Sequence, residues 1–202
     1  MTIRLLLADD QALIRQALCA LLGLEEDFDV VASVGRGDEI VDAARTARPD
    51  VALLDIEMPG LDGLAAAAVL AKQVPDCRVV ILTTFGRAGY LRRAMEAGAV
   101  GFVVKDAPVE VLADAIRRVT QGERVVDPAL AVATLAAGES PLTARERDVL
   151  IAARSGATVA EIAANLYLSE GTVRNYLSAA TTKTQTRNRM EALRVADERG
   201  WL

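Results

Sequence analysis

Short, nearly unbroken apolar runs alternate with stretches of helical period through the first 121 residues, and four of the runs stop at a reactive polar side chain. Ile3 to Ala8 is followed by Asp9 and Asp10, Val51 to Leu54 by Asp55, Val79 to Leu82 by Thr83, and Phe102 to Val104 by Lys105. Continuous apolar runs of this length are the pattern of strands buried on both faces of a parallel sheet. The pattern predicts strands near 3–8, 28–34, 50–55, 78–83 and 100–104, with helices near 11–23, 37–47, 61–73, 87–97 and 108–121. Five strands alternating with five helices predict an α/β, doubly wound, five-stranded parallel sheet. In such a sheet ligands bind beyond the carboxyl ends of the strands, so the four polar endings are expected to converge.

The pattern changes after Gly122. Residues 122–141 mix Pro128, Gly138 and small residues around one short apolar stretch, which reads as a linker carrying a short helix. From Leu142 to Leu202 only helical periodicity remains. Thr143 with Glu146, and Thr158 with Glu161, have the Thr-x-x-Glu spacing in which hydroxyl and carboxylate satisfy each other's free amides at a helix start. Ser169 is placed to cap a third helix and Gly156 to end the first. The expected organisation is therefore one domain over 1–121, a linker over 122–141, and a small all-α, four-helix domain over 142–202.

Charge refines this division. The chain of 202 residues carries a formal net charge of −5. Residues 1–122 hold 13 basic against 18 acidic side chains, and residues 123–202 hold 10 of each. Within the second part the stretch 174–189 contains Arg174, Lys183, Arg187 and Arg189 and no acid, a local basic stripe of the kind that meets nucleic acid. Arg174, Asn175 and Ser178 fall on one face of the third helix, and Val173, Leu177, Ala180 and Thr184 on another. Arginine and asparagine can read base edges in the major groove, while Thr172 and the helix N-terminus can hold phosphate.

No histidine occurs anywhere, which excludes histidine triads, histidine metal sites and an internal phosphohistidine. Cys19 and Cys77 lack paired spacing and read as reduced, small apolar side chains. No run approaches the roughly 18 apolar residues of a membrane span, and Asp9 and Asp10 interrupt the first apolar run where a signal peptide would continue. A cytoplasmic location without direct membrane contact is expected.

The converging set at the strand ends suits phosphoryl chemistry. Asp10 and Asp55 can ligate Mg²⁺ directly, Asp9 through water, and the main-chain carbonyl of Glu57 can complete the protein's share of an octahedral oxygen shell. Thr83 can hydrogen-bond a phosphoryl oxygen, and Lys105 can place a compact positive charge against it. Only Lys72, Lys105 and Lys183 among 23 basic residues are lysines, so a lysine at a strand end stands out.

Asp9-Asp10, the segment Asp55-x-x-Met58-Pro59-Gly60-x-Asp62-Gly63, Thr83 and Lys105 resemble the receiver domain of two-component response regulators. The resemblance implies a flavodoxin-like fold in which Asp55 accepts a phosphoryl group from a sensor histidine kinase with Mg²⁺ bound. It also places Phe102 at the family's aromatic switch position, where Thr83 and the ring respond to phosphorylation. Leu142-Thr143-x-Arg145-Glu146, Gly156, Glu161-Ile162-Ala163, Leu168-Ser169 and Thr172-Val173-Arg174 resemble the LuxR-type helix-turn-helix of NarL/FixJ regulators. By that resemblance the helix near 159–166 supports the third, which enters the major groove of an operator, while the fourth contributes to dimer contacts. The closing stretch is most similar to the subgroup containing DesR.

The combined expectation is a transcription factor rather than an enzyme, whose receiver only assists its own phosphorylation and dephosphorylation, and whose phosphorylation favours a homodimer on DNA. A Mg²⁺-dependent aspartyl phosphatase and a phosphorylation-independent DNA binder are the rival readings. Asp106 stands after Lys105 where many receivers have proline, which leaves the isomer of that peptide bond open. Tyr176, Ala180 and Thr184 stand where relatives carry histidine or large apolar residues.

Overall fold

The computed structural model describes residues 2–83, 88–137 and 140–202, so the predicted helix start at Arg87 and Gly138 of the linker lie outside the described residues. Two compact units are present, one built on a sheet and one on the C-terminal helices.

Six parallel strands form the sheet: β1 (Ile3–Ala8), β2 (Phe28–Val34), β3 (Val51–Asp55), β4 (Arg78–Thr83), β5 (Gly101–Val104) and β6 (Val125–Val126), in the order β2-β1-β3-β4-β5-β6. The first five lie where the apolar runs predict them. The sixth comes from the segment expected to be linker; Val125 and Val126 pair with Gly101 and Phe102 at the sheet edge. Two residues are too few to display a period, and only the sheet edge they join identifies them as a strand.

The helices between strands are α1 (Ala12–Leu22), α2 (Ile40–Ala47), α3 (Gly63–Gln73), α4 (Ala88–Glu96) and α5 (Val109–Thr120), with a 3₁₀ turn at Gly37–Glu39 leading into α2. Alternate strand residues bury opposite faces. Leu5, Leu7, Leu53, Val80, Leu82 and Val103 pack with Leu22 of α1 and Leu112, Ile116 and Val119 of α5. Leu6, Leu54, Ile81 and Phe102 point the other way and are equally enclosed, so both faces of the sheet are covered. Arg117 of α5 reaches back to the turn before β2, donating to Asp27 and Glu25 and lying 4.8 Å over the Phe28 ring. Hydrogen bonding to Arg117 holds the Asp27 carboxyl below its ordinary range.

A further helix, α6 (Pro128–Ala137), is the one expected within the linker. The remaining helices are α7 (Ala144–Ala152), α8 (Val159–Leu166), α9 (Glu170–Lys183) and α10 (Arg189–Glu198), around a core of Val149, Leu150, Ile162, Val173, Leu177, Leu193 and Trp201. Both Thr-x-x-Glu capping boxes form with their two reciprocal bonds, and the Ser169 hydroxyl accepts from the Thr172 amide at 3.1 Å. Gly156 adopts φ +80° just beyond the end of α7, a conformation that suits glycine. Among the described residues no helix is long and apolar enough to cross a membrane.

Val173, Leu177, Ala180 and Thr184 are all buried, as the face of α9 predicts. Thr184 is tolerated there because its hydroxyl donates to the Ala180 carbonyl at 2.8 Å and lies 2.9 Å from the Thr186 hydroxyl. The small side chains at 180 and 184 thus bury no unsatisfied polar atom.

Candidate functional site

Strand register brings the polar endings together. Ala8 pairs with Leu54, Asp55 with Leu82, and Thr83 with Val104, so β1, β3, β4 and β5 finish at one level. β1 and β3 flank the point where strand order reverses, the place at which open α/β sheets bind ligands. Asp9 and Asp10 follow the first of these strands and Asp55 ends the second.

Asp9, Asp55 and Thr83 are buried, at 1%, 5% and 3% exposure, whereas Asp10 is open to solvent. One carboxylate oxygen from each of Asp9, Asp10 and Asp55 lies within 4.8 Å of the others. The Lys105 ammonium stands 2.7 Å from Asp9 Oδ2 and 2.9 Å from Asp55 Oδ2. These are ion pairs by proximity; neither Lys105 Nζ nor Asp9 Oδ2 has an aligned hydrogen bond. The other oxygens are held by the main chain, Asp55 Oδ1 accepting from the Ile56 amide at 2.8 Å and Asp9 Oδ1 from the Gln11 amide at 2.9 Å. Arg15 donates to the Asp9 carbonyl, fixing the end of β1.

Burial pushes the Asp55 carboxyl above its ordinary range, and Lys105 opposes that rise without cancelling it. Burial would lower the Lys105 ammonium, but its pairs with Asp9 and Asp55 outweigh this and hold it above the usual lysine value. One ammonium cannot neutralise three carboxylates. The surplus of negative charge, with oxygen as the sole donor type and Asp10 facing solvent, fits a small hard divalent cation that keeps part of its water shell.

The loop after β3 is held by contacts that the sequence did not reveal. Gly63 donates its amide to the Ile56 carbonyl, and a Cβ at Gly63 would lie 1.9 Å from the Asp55 carbonyl oxygen. Gly37 donates to the Pro59 carbonyl, and a Cβ there would lie 1.6 Å from the Leu61 carbonyl oxygen. Arg36 grips the Asp38 carboxylate with two bonds of 2.9 and 2.7 Å, and that carboxylate sits against Gly60. Asp62 caps α3 by accepting from the Ala65 amide. Gly60, Asp62 and Gly63 belong to the motif that the sequence singles out; Gly37 and Asp38 carry no local signal because they meet Pro59 and Gly60, remote in sequence, and the short-range bonds of Arg15 and Arg36 follow no motif spacing.

Glu57 lies two residues past Asp55 in this loop with its side chain exposed. Phe102 is fully buried in β5, opposite Ile81. The Lys105–Asp106 bond is trans, as no cis peptide occurs among the described residues.

In the helical unit, Arg174, Asn175 and Ser178 are exposed together on α9 and Thr172 is half-buried at its start. Arg174 pairs with Glu170 at 2.5 Å on the surface, a contact that solvent weakens. Lys183 departs from the expected stripe. Its ammonium turns inward to Glu146 at 2.8 Å, and that carboxylate also accepts from the Thr143 amide at 2.7 Å. The geometry gives Lys183 the role of tying the end of α9 to the start of α7, and leaves Arg174, Asn175 and Ser178 as the exposed polar set on α9.

Burial works to raise the Glu146 carboxyl, yet Lys183 and the Thr143 amide hold it below the ordinary value of 4.5. A folded pKa below the unfolded one means stability that is present above about pH 4.5 and lost as pH falls through the folded value. Glu146→Gln should therefore cost the helical unit about 1–3 kcal/mol at neutral pH. It should also flatten the acid limb of its stability curve, as read by denaturant melts between about pH 3 and 7. An unchanged midpoint at neutral pH would count against the tie.

Comparison with known proteins gives a family match for each unit. The family described as "Response regulator receiver domain" matches residues 5–117, and "Bacterial regulatory proteins, luxR family" matches residues 140–196. The transcriptional regulatory protein YvfU of Bacillus subtilis is 45% identical over 200 residues, spanning 99% of this chain and 100% of that protein. The transcriptional regulatory protein DesR of Bacillus subtilis is 43% identical over 199 residues, spanning 98% of each. Among solved structures, the response regulator ChrA of a heme-sensing two-component system is 33% identical with a TM-score of 0.60, over 100% of this chain and 99% of that one.

Proposed function

Since the chain belongs to the two-component response regulators that join a receiver domain to a LuxR-type DNA-binding domain, we propose that it is a transcription factor switched by phosphorylation of Asp55. The donor is a phosphohistidine on a sensor kinase, as the absence of histidine from this chain requires the phosphoramidate to be the partner's. An Asp55 carboxylate oxygen attacks phosphorus, the P–N bond breaks, an acyl phosphate forms, and the departing imidazole takes up a proton. Asp10, Asp55 and the Glu57 carbonyl, with Asp9 through water, would hold Mg²⁺, which when bound would supply charge neutralisation for the transferred group. Lys105 adds a fixed positive charge and Thr83 a hydroxyl donor. Phe102 and Thr83 then carry the change to the receiver surface.

Residues 1–121 act as the receiver and 142–202 as the DNA-binding head, with β6 and α6 in the connection between them. Phosphorylation favours a homodimer in the cytoplasm, because two linked heads on paired half-sites bind far more tightly than one. Arg174, Asn175 and Ser178 face base edges, with Thr172 near phosphate. The chain is a regulator rather than an enzyme with a turned-over substrate.

One observation carries this reading: a single buried ammonium within 2.9 Å of two buried carboxylates, beside a third that is open to solvent. Purified protein given Mg²⁺ and acetyl phosphate should gain one phosphoryl group, double in solution mass and bind duplex DNA more tightly. Asp55→Ala should do none of these. Labelling that survives in Asp55→Ala removes Asp55 from the mechanism, and DNA affinity indifferent to the phosphodonor removes the switch.

A further inference from the structure

The chain holds seven aromatic residues in all, three Phe, three Tyr and one Trp, so each placement is informative. Among the described residues, Phe28, Phe102 and Trp201 are buried and Tyr90 and Tyr176 are half-buried. Tyr167 is 96% exposed. It lies in the turn between α8 and α9, two residues before Ser169, the N-cap of α9.

Its backbone is as unusual as its exposure. Tyr167 closes α8 in the left-handed region, at φ 54° and ψ 45°, with its amide donating to the end of that helix. Where a helix ends in this conformation the residue is usually glycine, because a Cβ there is strained. The phenol ring does nothing to compensate within the fold, since at 96% exposure it packs against no core residue. A bulky aromatic that is both strained and solvated is accounted for by an external contact rather than by stability.

The location identifies the contact. In a helix-turn-helix the helix before the turn crosses the nucleic-acid backbone and the next one enters the groove by its N-terminal end. The flanking Glu161 and Glu170 are acidic and would repel a phosphate. A long side chain ending in a neutral hydroxyl can reach past them and donate to a phosphate oxygen.

We propose that Tyr167 is a DNA-contacting residue whose phenol hydroxyl donates to a backbone phosphate beside the groove entered by α9. The proposal rests on the DNA-binding reading above. A phosphate contact acts on any sequence, so a mixed-sequence duplex of about 40 base pairs at low salt serves as probe for the full chain. Tyr167→Phe should weaken binding about three- to tenfold. The dependence of affinity on salt should stay unchanged, because a neutral donor displaces no counterion. Tyr167→Gly should weaken binding at least as much while its melting temperature holds or rises, since glycine relieves the left-handed turn.

Arg174→Ala separates the two readings. If it weakens binding while Tyr167→Phe and Tyr167→Gly both bind as wild type, the tyrosine proposal alone falls. A loss confined to Tyr167→Gly removes the hydroxyl contact and overturns it equally. Wild-type protein that binds no duplex overturns the DNA-binding reading and this inference with it.

Discussion

Lys105→Met is expected to destabilise the metal-free receiver by about 3–5 kcal/mol at neutral pH and to make its stability steeply dependent on Mg²⁺. Methionine has a comparable length and no charge, so the change removes the ammonium while nearly preserving volume. What remains is Asp9 at 1% and Asp55 at 5% exposure, and among the described residues neither carboxylate has another ion pair. Removing one member of a buried ionic cluster costs more than the cluster contributes, because the survivors stay desolvated. On a transition of this size the loss corresponds to a fall of about 10 °C in melting temperature.

The pH dependence follows from Asp55. Burial already raises its carboxyl above the ordinary value of 3.8, and Lys105 is the main opposing influence. An acid whose folded pKa is raised favours folding below its unfolded pKa, and this contribution is lost as pH rises through the folded value. Without Lys105 the folded value moves further up. The deficit in Lys105→Met should therefore be smallest near pH 4 and grow toward about pH 7. Millimolar Mg²⁺ should recover much of it, because a cation shared by the carboxylates restores the missing charge. Scanning calorimetry in EDTA and in Mg²⁺ across that range checks the expectation. Coincident melting of the variant and wild type in EDTA at neutral pH would mean that the ion pairs contribute nothing to the fold.

The legible parts of this protein share a physical cause, and so do the illegible ones. β1, β3, β4 and β5 are buried on both faces apart from Arg4 and Arg78 near the starts of β1 and β4, so their residues are nearly all apolar, and the residue that breaks each run is the one at the sheet's carboxyl edge. That makes Asp9, Asp10, Asp55, Thr83 and Lys105 legible as a group in the sequence. The capping boxes at Thr143 and Thr158 were readable because both partners lie within one turn. Charge along a stretch carries no direction, so the sequence does not show that the Lys183 ammonium turns to Glu146. Its partner, Glu146, lies 37 residues away, and the same carboxylate serves as a helix cap. Gly37 is silent for a related reason, since it meets the Pro59 carbonyl from a distant part of the sequence, while Arg15 and Arg36 bond to near neighbours at spacings that no motif marks. Val125 and Val126 show the lower limit of length, since two residues become a strand only beside β5.

The close approaches around the β3–α3 loop lead to the second large effect. Gly63→Ala should cost about 3 kcal/mol or more and sharply reduce phosphoryl labelling of Asp55, because its Cβ would stand 1.9 Å from the Asp55 carbonyl oxygen. A backbone atom cannot rotate away as a side chain can, so either the end of β3 or the start of α3 must move. Both elements position the Asp55 carboxylate. Gly37→Ala presses on the same loop from the other side, with its Cβ 1.6 Å from the Leu61 carbonyl oxygen. Gly122→Ala is the contrasting case: its φ is +91° but a Cβ there meets nothing within 4 Å. Only the backbone preference is lost at Gly122, which costs about 1 kcal/mol and should leave labelling intact. Denaturant midpoints and labelling rates with acetyl phosphate distinguish the three variants. Because Gly37 and Gly63 act on one loop, their double variant should lose less than the sum of the two. Wild-type labelling and stability in Gly63→Ala would show that the loop has room that its packing denies.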